Sequence, residues 1–148
     1  MSKRLIAVLT ASVWLAACGT TGGGPQLRSQ STGQLAPCGS GCVSSQASGE
    51  AGIAPLSYSG SAVSARQKMG RVLGRMAGMG YAVVVNEGDY IHATHGSGAT
   101  LDDLEFVFSQ SEPGVIHVRS ARRSGLPDFG ANRKHVDEVR NAFTVAKS

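Results

Sequence analysis

Leu101-Asp102-Asp103-Leu104-Glu105-Phe106-Val107-Phe108, with Val115-Ile116-His117-Val118-Arg119-Ser120 beyond a loop at Glu112-Pro113-Gly114, decides the fold. In the first run Leu104, Phe106 and Phe108 alternate with Asp103, Glu105 and Val107. Successive side chains of a strand point to opposite faces, so this alternation marks a strand with one face in a core. With Phe106 facing Val118, Phe108 faces Ile116 on the core side. On the other side Glu105 then faces Arg119, and Val107 faces His117. One register matches apolar to apolar and acid to base, which is what selects it over its neighbours.

Working outward, Tyr81–Val85 is a β-rich run, Asn86-Glu87-Gly88-Asp89 a turn, and Tyr90–Thr94 the returning strand. Before them, Ile53–Tyr58 is an extended entry segment, because Pro55 is excluded from a helix interior. A helix follows, capped by Ser61 or Ser64. Val63, Met69, Val72, Leu73 and Met76 form its apolar face, and Arg66, Lys68, Arg71 and Arg75 its solvated face. Gly70 and Gly74 leave a bare strip for close packing, and Gly78 and Gly80 stop the helix. At the other end, Val136, Val139, Phe143 and Ala146 make the stripe of a last helix from about Asn132, with Arg133, Lys134, Asp137, Glu138 and Arg140 outward. The expectation is an α+β domain over residues 38–148: a four-stranded antiparallel meander in the order α-β-β-β-β-α, both helices on one face.

The chain opens with Lys3 and Arg4, then the uncharged run Leu5–Leu15, which is too short to span a bilayer. A basic start, an apolar run and small residues read as a secretory signal peptide over residues 1–17. Its end, Leu15-Ala16-Ala17-Cys18, resembles the bacterial lipobox. That resemblance implies cleavage before Cys18, acylation of Cys18 with palmitate-type chains, and anchorage to a lipid membrane. Thr20 lies second after Cys18 in place of Asp, and by resemblance to the sorting rules of diderm lipoproteins this implies the outer membrane, facing the periplasm. Residues 18–37, rich in Gly, Ser, Thr and Gln, read as a flexible tether without stable structure. The 148-residue chain carries a formal +4. Removing the two cations of the signal leaves +2, so the charge gives no reason to expect a nucleic-acid partner.

With Cys18 lipidated, Cys38 and Cys42 remain, an even number in an oxidising compartment. The simplest reading is a disulfide closing a small loop, with Gly39 and Gly41 allowing the turn. A redox pair or a metal clip stands as the alternative.

Chemistry concentrates between the strand pair and the last helix. Asp102, Asp103 and Glu105 lie on one strand, and Arg119, Arg122 and Arg123 on or just beyond its partner. Gly125, Pro127 and Gly130 bend the chain so that Asp128 and Asn132 return toward the sheet or cap the last helix. The candidate ligand-binding set is Asp103, Glu105, Arg119, Arg123, Asp128, Asn132 and Arg133, gripping a small anionic group or an envelope protein partner. The bland reading of the same residues is a salt-bridge and capping network. An enzymatic alternative makes Asp103 or Glu105 the acid or base of an envelope hydrolase, with Arg119 and Arg123 holding substrate. No catalytic residue is assigned. Asp102 and Asp103 are adjacent and splay apart. No Gly-x-Ser-x-Gly elbow is present. His92 and His95 would face opposite ways on a regular strand, so no three-ligand metal set emerges, and no cofactor is expected.

Cys38 with Cys42-Val43-Ser44-Ser45, Ile53, Pro55-Leu56 and Asp102-Asp103-Leu104-Glu105-Phe106 lead to the longest motif, Arg119-Ser120-Ala121-x-Arg123-x-Gly125-x-x-Asp128-x-Gly130-x-Asn132-Arg133-Lys134-x-Val136. Together they resemble the bacterial envelope family catalogued as domain of unknown function 1499, over about Cys38 to Phe143. The resemblance implies an exported, membrane-tethered protein and lends no activity. The chain departs from the family pattern at Ser40, Gly41, Arg122, Leu126 and Pro127.

Overall fold

The computed structural model describes residues 26–29 and 34–147. The signal read over 1–17, Cys18 and the rest of the linker lie outside these residues. In chain order the elements are β1 (Cys42–Ser44), β2 (Leu56–Ser57), α1 (Ala62–Arg75), β3 (Tyr81–Glu87), β4 (Tyr90–His95), β5 (Asp102–Phe108), β6 (Val115–Arg122) and α2 (Ala131–Val145). The domain is α+β, with two α-helices and one antiparallel sheet.

β5 and β6 pair with Phe106 opposite Val118, Phe108 opposite Ile116, Glu105 opposite Arg119 and Val107 opposite His117, the register expected from alternation. β4 pairs with the other edge of β5, and β3 with β4. The sheet has six strands, not the expected four. β1 and β2 lie one after the other along the free edge of β6, at Arg119–Ala121 and at Val115–Ile116. Strands of two or three residues carry no readable alternation. They exist because the outer edge of a buried strand needs hydrogen-bond partners.

Leu104, Phe106, Phe108, Ile116, Val118 and Ile91 point to one face and are fully buried there with Met69 of α1 and Val136 and Val139 of α2. Ser61 caps α1, accepting from the Ser64 amide at 3.1 Å. Val63, expected on the apolar face, is 58% exposed, and Ala65 takes the buried place. The bare strip holds at Gly70 alone, where the Asn86 side chain presses on the helix; nothing lies within 4 Å of a side chain added at Gly74.

The described parts of the expected tether lie on the opposite face of the sheet. Leu35 is buried there against Tyr90 and Val107, and the Arg28 guanidinium stacks 4.1 Å from the centroid of the Tyr90 ring. No hydrophobic period marks this, because the stacking and apolar contacts come from single residues, Arg28 and Leu35.

Cys38 and Cys42 form a disulfide. Between them Gly41 adopts φ +61°, and its carbonyl accepts from the Arg122 amide at 2.8 Å and from Asn132 Nδ2 at 3.0 Å. A Cβ here would run into the Leu126 carbonyl. Gly41→Ala therefore lowers the unfolding free energy by at least about 1–2 kcal/mol, the cost of the left-handed backbone before the clash is added. Gly39→Ala, with nothing within 4 Å, stays within about 0.5 kcal/mol of wild type. Urea unfolding of the pair checks this, and equal midpoints would refute it.

Candidate functional site

Adjacent strand residues face opposite ways, so Asp102 and Asp103 leave β5 on its two sides and found two separate polar clusters. Both carboxylates are buried, 1% and 2% exposed.

On the face away from the helices, Asp103 accepts from Arg123 Nε at 2.9 Å and Nη2 at 2.5 Å, and lies 2.8 Å from His92 Nε2. Burial pushes this carboxyl up, but the hydrogen bonds from Arg123 and His92 outweigh it and hold the pKa at about 2. Next to it Glu105 is fully buried. Its Oε1 accepts from the Tyr90 hydroxyl at 2.7 Å and the Arg28 amide at 2.6 Å, and its Oε2 is 3.3 Å from Arg119 Nη1. The same Arg119 nitrogen donates to the Gln26 carbonyl at 2.9 Å. Arg119 Nε has no hydrogen-bond partner among the described residues. The Tyr90 hydroxyl is pushed up, first by burial and then by the Glu105 charge.

Under the start of α2, Asp102 takes Arg122 Nε at 2.8 Å on Oδ1 and Arg122 Nη2 and His135 Nε2, both at 3.3 Å, on Oδ2. Burial raises this carboxyl and the His135 and Arg122 hydrogen bonds lower it further, so it ends below the usual range. The His95 and His135 rings lie 3.9 Å apart, and Tyr81, whose hydroxyl donates to Glu138 at 2.6 Å, flanks both. Burial and the neighbouring His135 hold His95 below the usual range.

Asn132, fully buried, joins this cluster to the disulfide loop. It accepts from the Ser120 hydroxyl at 2.5 Å and donates to the Gly41 carbonyl and to Asp128. Asp128, of the two capping candidates, is the one that acts. Its Oδ2 accepts from the Asn132 amide at 2.7 Å, while Gly130 at φ 85° turns the chain into the helix.

The seven residues read as one set are thus divided. Asp103, Glu105, Arg119 and Arg123 share one face of the sheet. Asp128 and Asn132 stand on the helix side. Arg133 lies apart from both, donating to the carbonyls of Glu50 at 2.6 Å and Gly52 at 3.4 Å. Strand pairing places Asp103 and Glu105 on one face but also sends Asp102 through to the other, which the single-pocket reading did not separate. Tyr90 and His92 complete the first cluster and were legible in principle, since they share a face of β4. His135, Ser120 and Arg28 were not, because only the tertiary fold brings them in.

Beyond the clusters, Phe129 is 97% exposed with φ 53°, and Leu126 is 55% exposed on the same loop. A non-glycine residue held in the left-handed region marks a loop conformation fixed by its surroundings.

Fold and site together define a small α+β domain whose strongest polar contacts are internal and tie strand, loop and helix into one body. The chain belongs to the family described as protein of unknown function, DUF1499, whose model matches residues 34–143. No curated protein and no solved structure matches it.

Proposed function

We propose that this protein is a lipid-anchored module of the bacterial cell envelope, exported, acylated at Cys18 and held on the outer membrane facing the periplasm, where it acts by binding or by structure and not by catalysis. The observation that carries the second half is the pairing of the arginines with carboxylates. Arg119, Arg122 and Arg123 each lie against a buried carboxylate, Glu105, Asp102 and Asp103. A group already neutralised in this way offers little to an incoming anion. The same pairing supports binding or structure over the hydrolase alternative. Asp103, held at about 2 by Arg123 and His92, lies far from neutral pH and makes a poor general acid or base. The surface we assign to an envelope partner is the loop bearing Leu126 and Phe129, because Phe129 is the most exposed of the large hydrophobic residues described and aromatics are enriched at interfaces.

Anchorage rests on Leu15-Ala16-Ala17-Cys18, with the basic start and apolar run before it. No helix among the described residues is long and apolar enough to cross a membrane. Metabolic labelling with an alkyne palmitate analogue tests the anchor. Wild type takes the label and partitions with membranes, and Cys18→Ser does neither. Equal labelling of both proteins would overturn the reading.

A further inference from the structure

We infer that His95, Asp102 and His135 form a binding site for one divalent transition-metal ion of the zinc type. Each residue offers a ligand atom, and the three atoms lie within 4.8 Å of one another. The site is built by the fold. His95 and Asp102 are a cross-strand pair of β4 and β5, and α2 lowers His135 onto them. Metal–nitrogen and metal–oxygen bonds of about 2.0–2.2 Å put tetrahedral ligand atoms about 3.4 Å apart. Small side-chain rotations close the remaining gap, and His95, at the less buried end of β4, is the residue free to make them.

The hydrogen bonds prepare the donors. His95 Nε2 lies 3.1 Å from the Met79 carbonyl. A carbonyl only accepts, so Nε2 carries the proton and Nδ1 holds the lone pair. His135 turns Nε2 to Asp102 and Nδ1 to the Tyr81 hydroxyl at 3.5 Å and Glu138 at 4.0 Å. A metal replaces the Nε2 proton, while Tyr81 and Glu138 orient the ring from behind, as outer partners do at zinc sites. Arg122 Nε holds Asp102 Oδ1 at 2.8 Å and leaves Oδ2 toward the imidazoles. With neutral imidazoles, Asp102 is the charge that faces the cation, with Arg122 on its other oxygen and Glu138 paired at the rim with the exposed Lys134 at 3.8 Å. Two imidazoles and one carboxylate suit zinc, cobalt or nickel; calcium and magnesium prefer an all-oxygen set. The intermediate exposure of His95 leaves one side open for a water ligand.

The test is titration of the full chain, purified without a polyhistidine tag, with cobalt(II) and then zinc. Wild type binds one equivalent, shows the visible absorption of tetrahedral cobalt and loses it to zinc. His95→Ala weakens binding at least 10-fold while keeping wild-type circular dichroism, and Tyr81→Phe weakens it about 10-fold through His135. His117→Ala, on the opposite face beside Ser45 and Glu112, leaves binding unchanged. No bound metal in the wild type would overturn the site. So would wild-type affinity in His95→Ala, or an equal loss in His117→Ala.

Discussion

Arg119→Met lowers the unfolding free energy by about 3–5 kcal/mol, read as a shift of the urea midpoint at unchanged slope. The size follows from burial. Arg119 is 4% exposed and Glu105 fully buried, so water cannot replace the lost guanidinium. Glu105 keeps the Tyr90 hydroxyl and the Arg28 amide on Oε1, while Oε2 loses its only cationic neighbour among the described residues. An exposed pair behaves otherwise, and removing one partner there costs about 1 kcal/mol or less. The double variant Glu105→Gln/Arg119→Met separates a buried charge from a lost contact. It removes the stranded charge yet retains an acceptor for Tyr90, so it recovers a large part of the loss. A single-variant loss below about 1 kcal/mol, or a double variant as unstable as the sum of the singles, would sink this account.

Much of this was readable from residues alone, and the boundary has a physical reason. Alternation in Leu104–Phe108 and in Ile116–Arg119 carries the register, because burial of one face and charge pairing on the other constrain the same offset. Cys42–Ser44 and Leu56–Ser57 carry no such pattern; they are strands through the partner they meet. Glu105 with Arg119 was legible as a cross-strand pair, and Asp128 as a capping candidate. Arg133 was not separable from them, because its position on α2 sends it to the Glu50 carbonyl, on the far side of β1 in sequence. The trio His95, Asp102 and His135 was hidden for the converse reason. His135 lies far from the other two in the chain, and nothing in the spacing of the histidines foretells that it reaches from α2 to Asp102 and His95. Leu35 and Arg28 show the same limit. Their segment has no period, yet these two side chains help to hold its described residues on the sheet.

Acid weakens the fold through Asp103. The folded carboxyl titrates at about 2 against an ordinary 3.8, so between these values the unfolded chain binds more protons than the native one. The sign is therefore fixed. The stabilisation is fully present above about pH 4 and is lost as pH falls through about 2. The shift corresponds to about 2 kcal/mol at 1.36 kcal/mol per unit, and Asp102 and Asp128, also held low, add in the same direction. Asp103 is the member to substitute because its partners are complete: Arg123 through two nitrogens and His92 through one. Urea unfolding of wild type and Asp103→Asn from about pH 5 to pH 2 isolates its share. The variant is less stable near pH 5, and the two curves converge by about 2 kcal/mol toward pH 2, because only the wild type has that carboxylate to lose. Curves that fall in parallel would mean that Asp103 titrates alike in folded and unfolded chains, and the ion pair with Arg123 would then have no part in holding β5 to the end of β6.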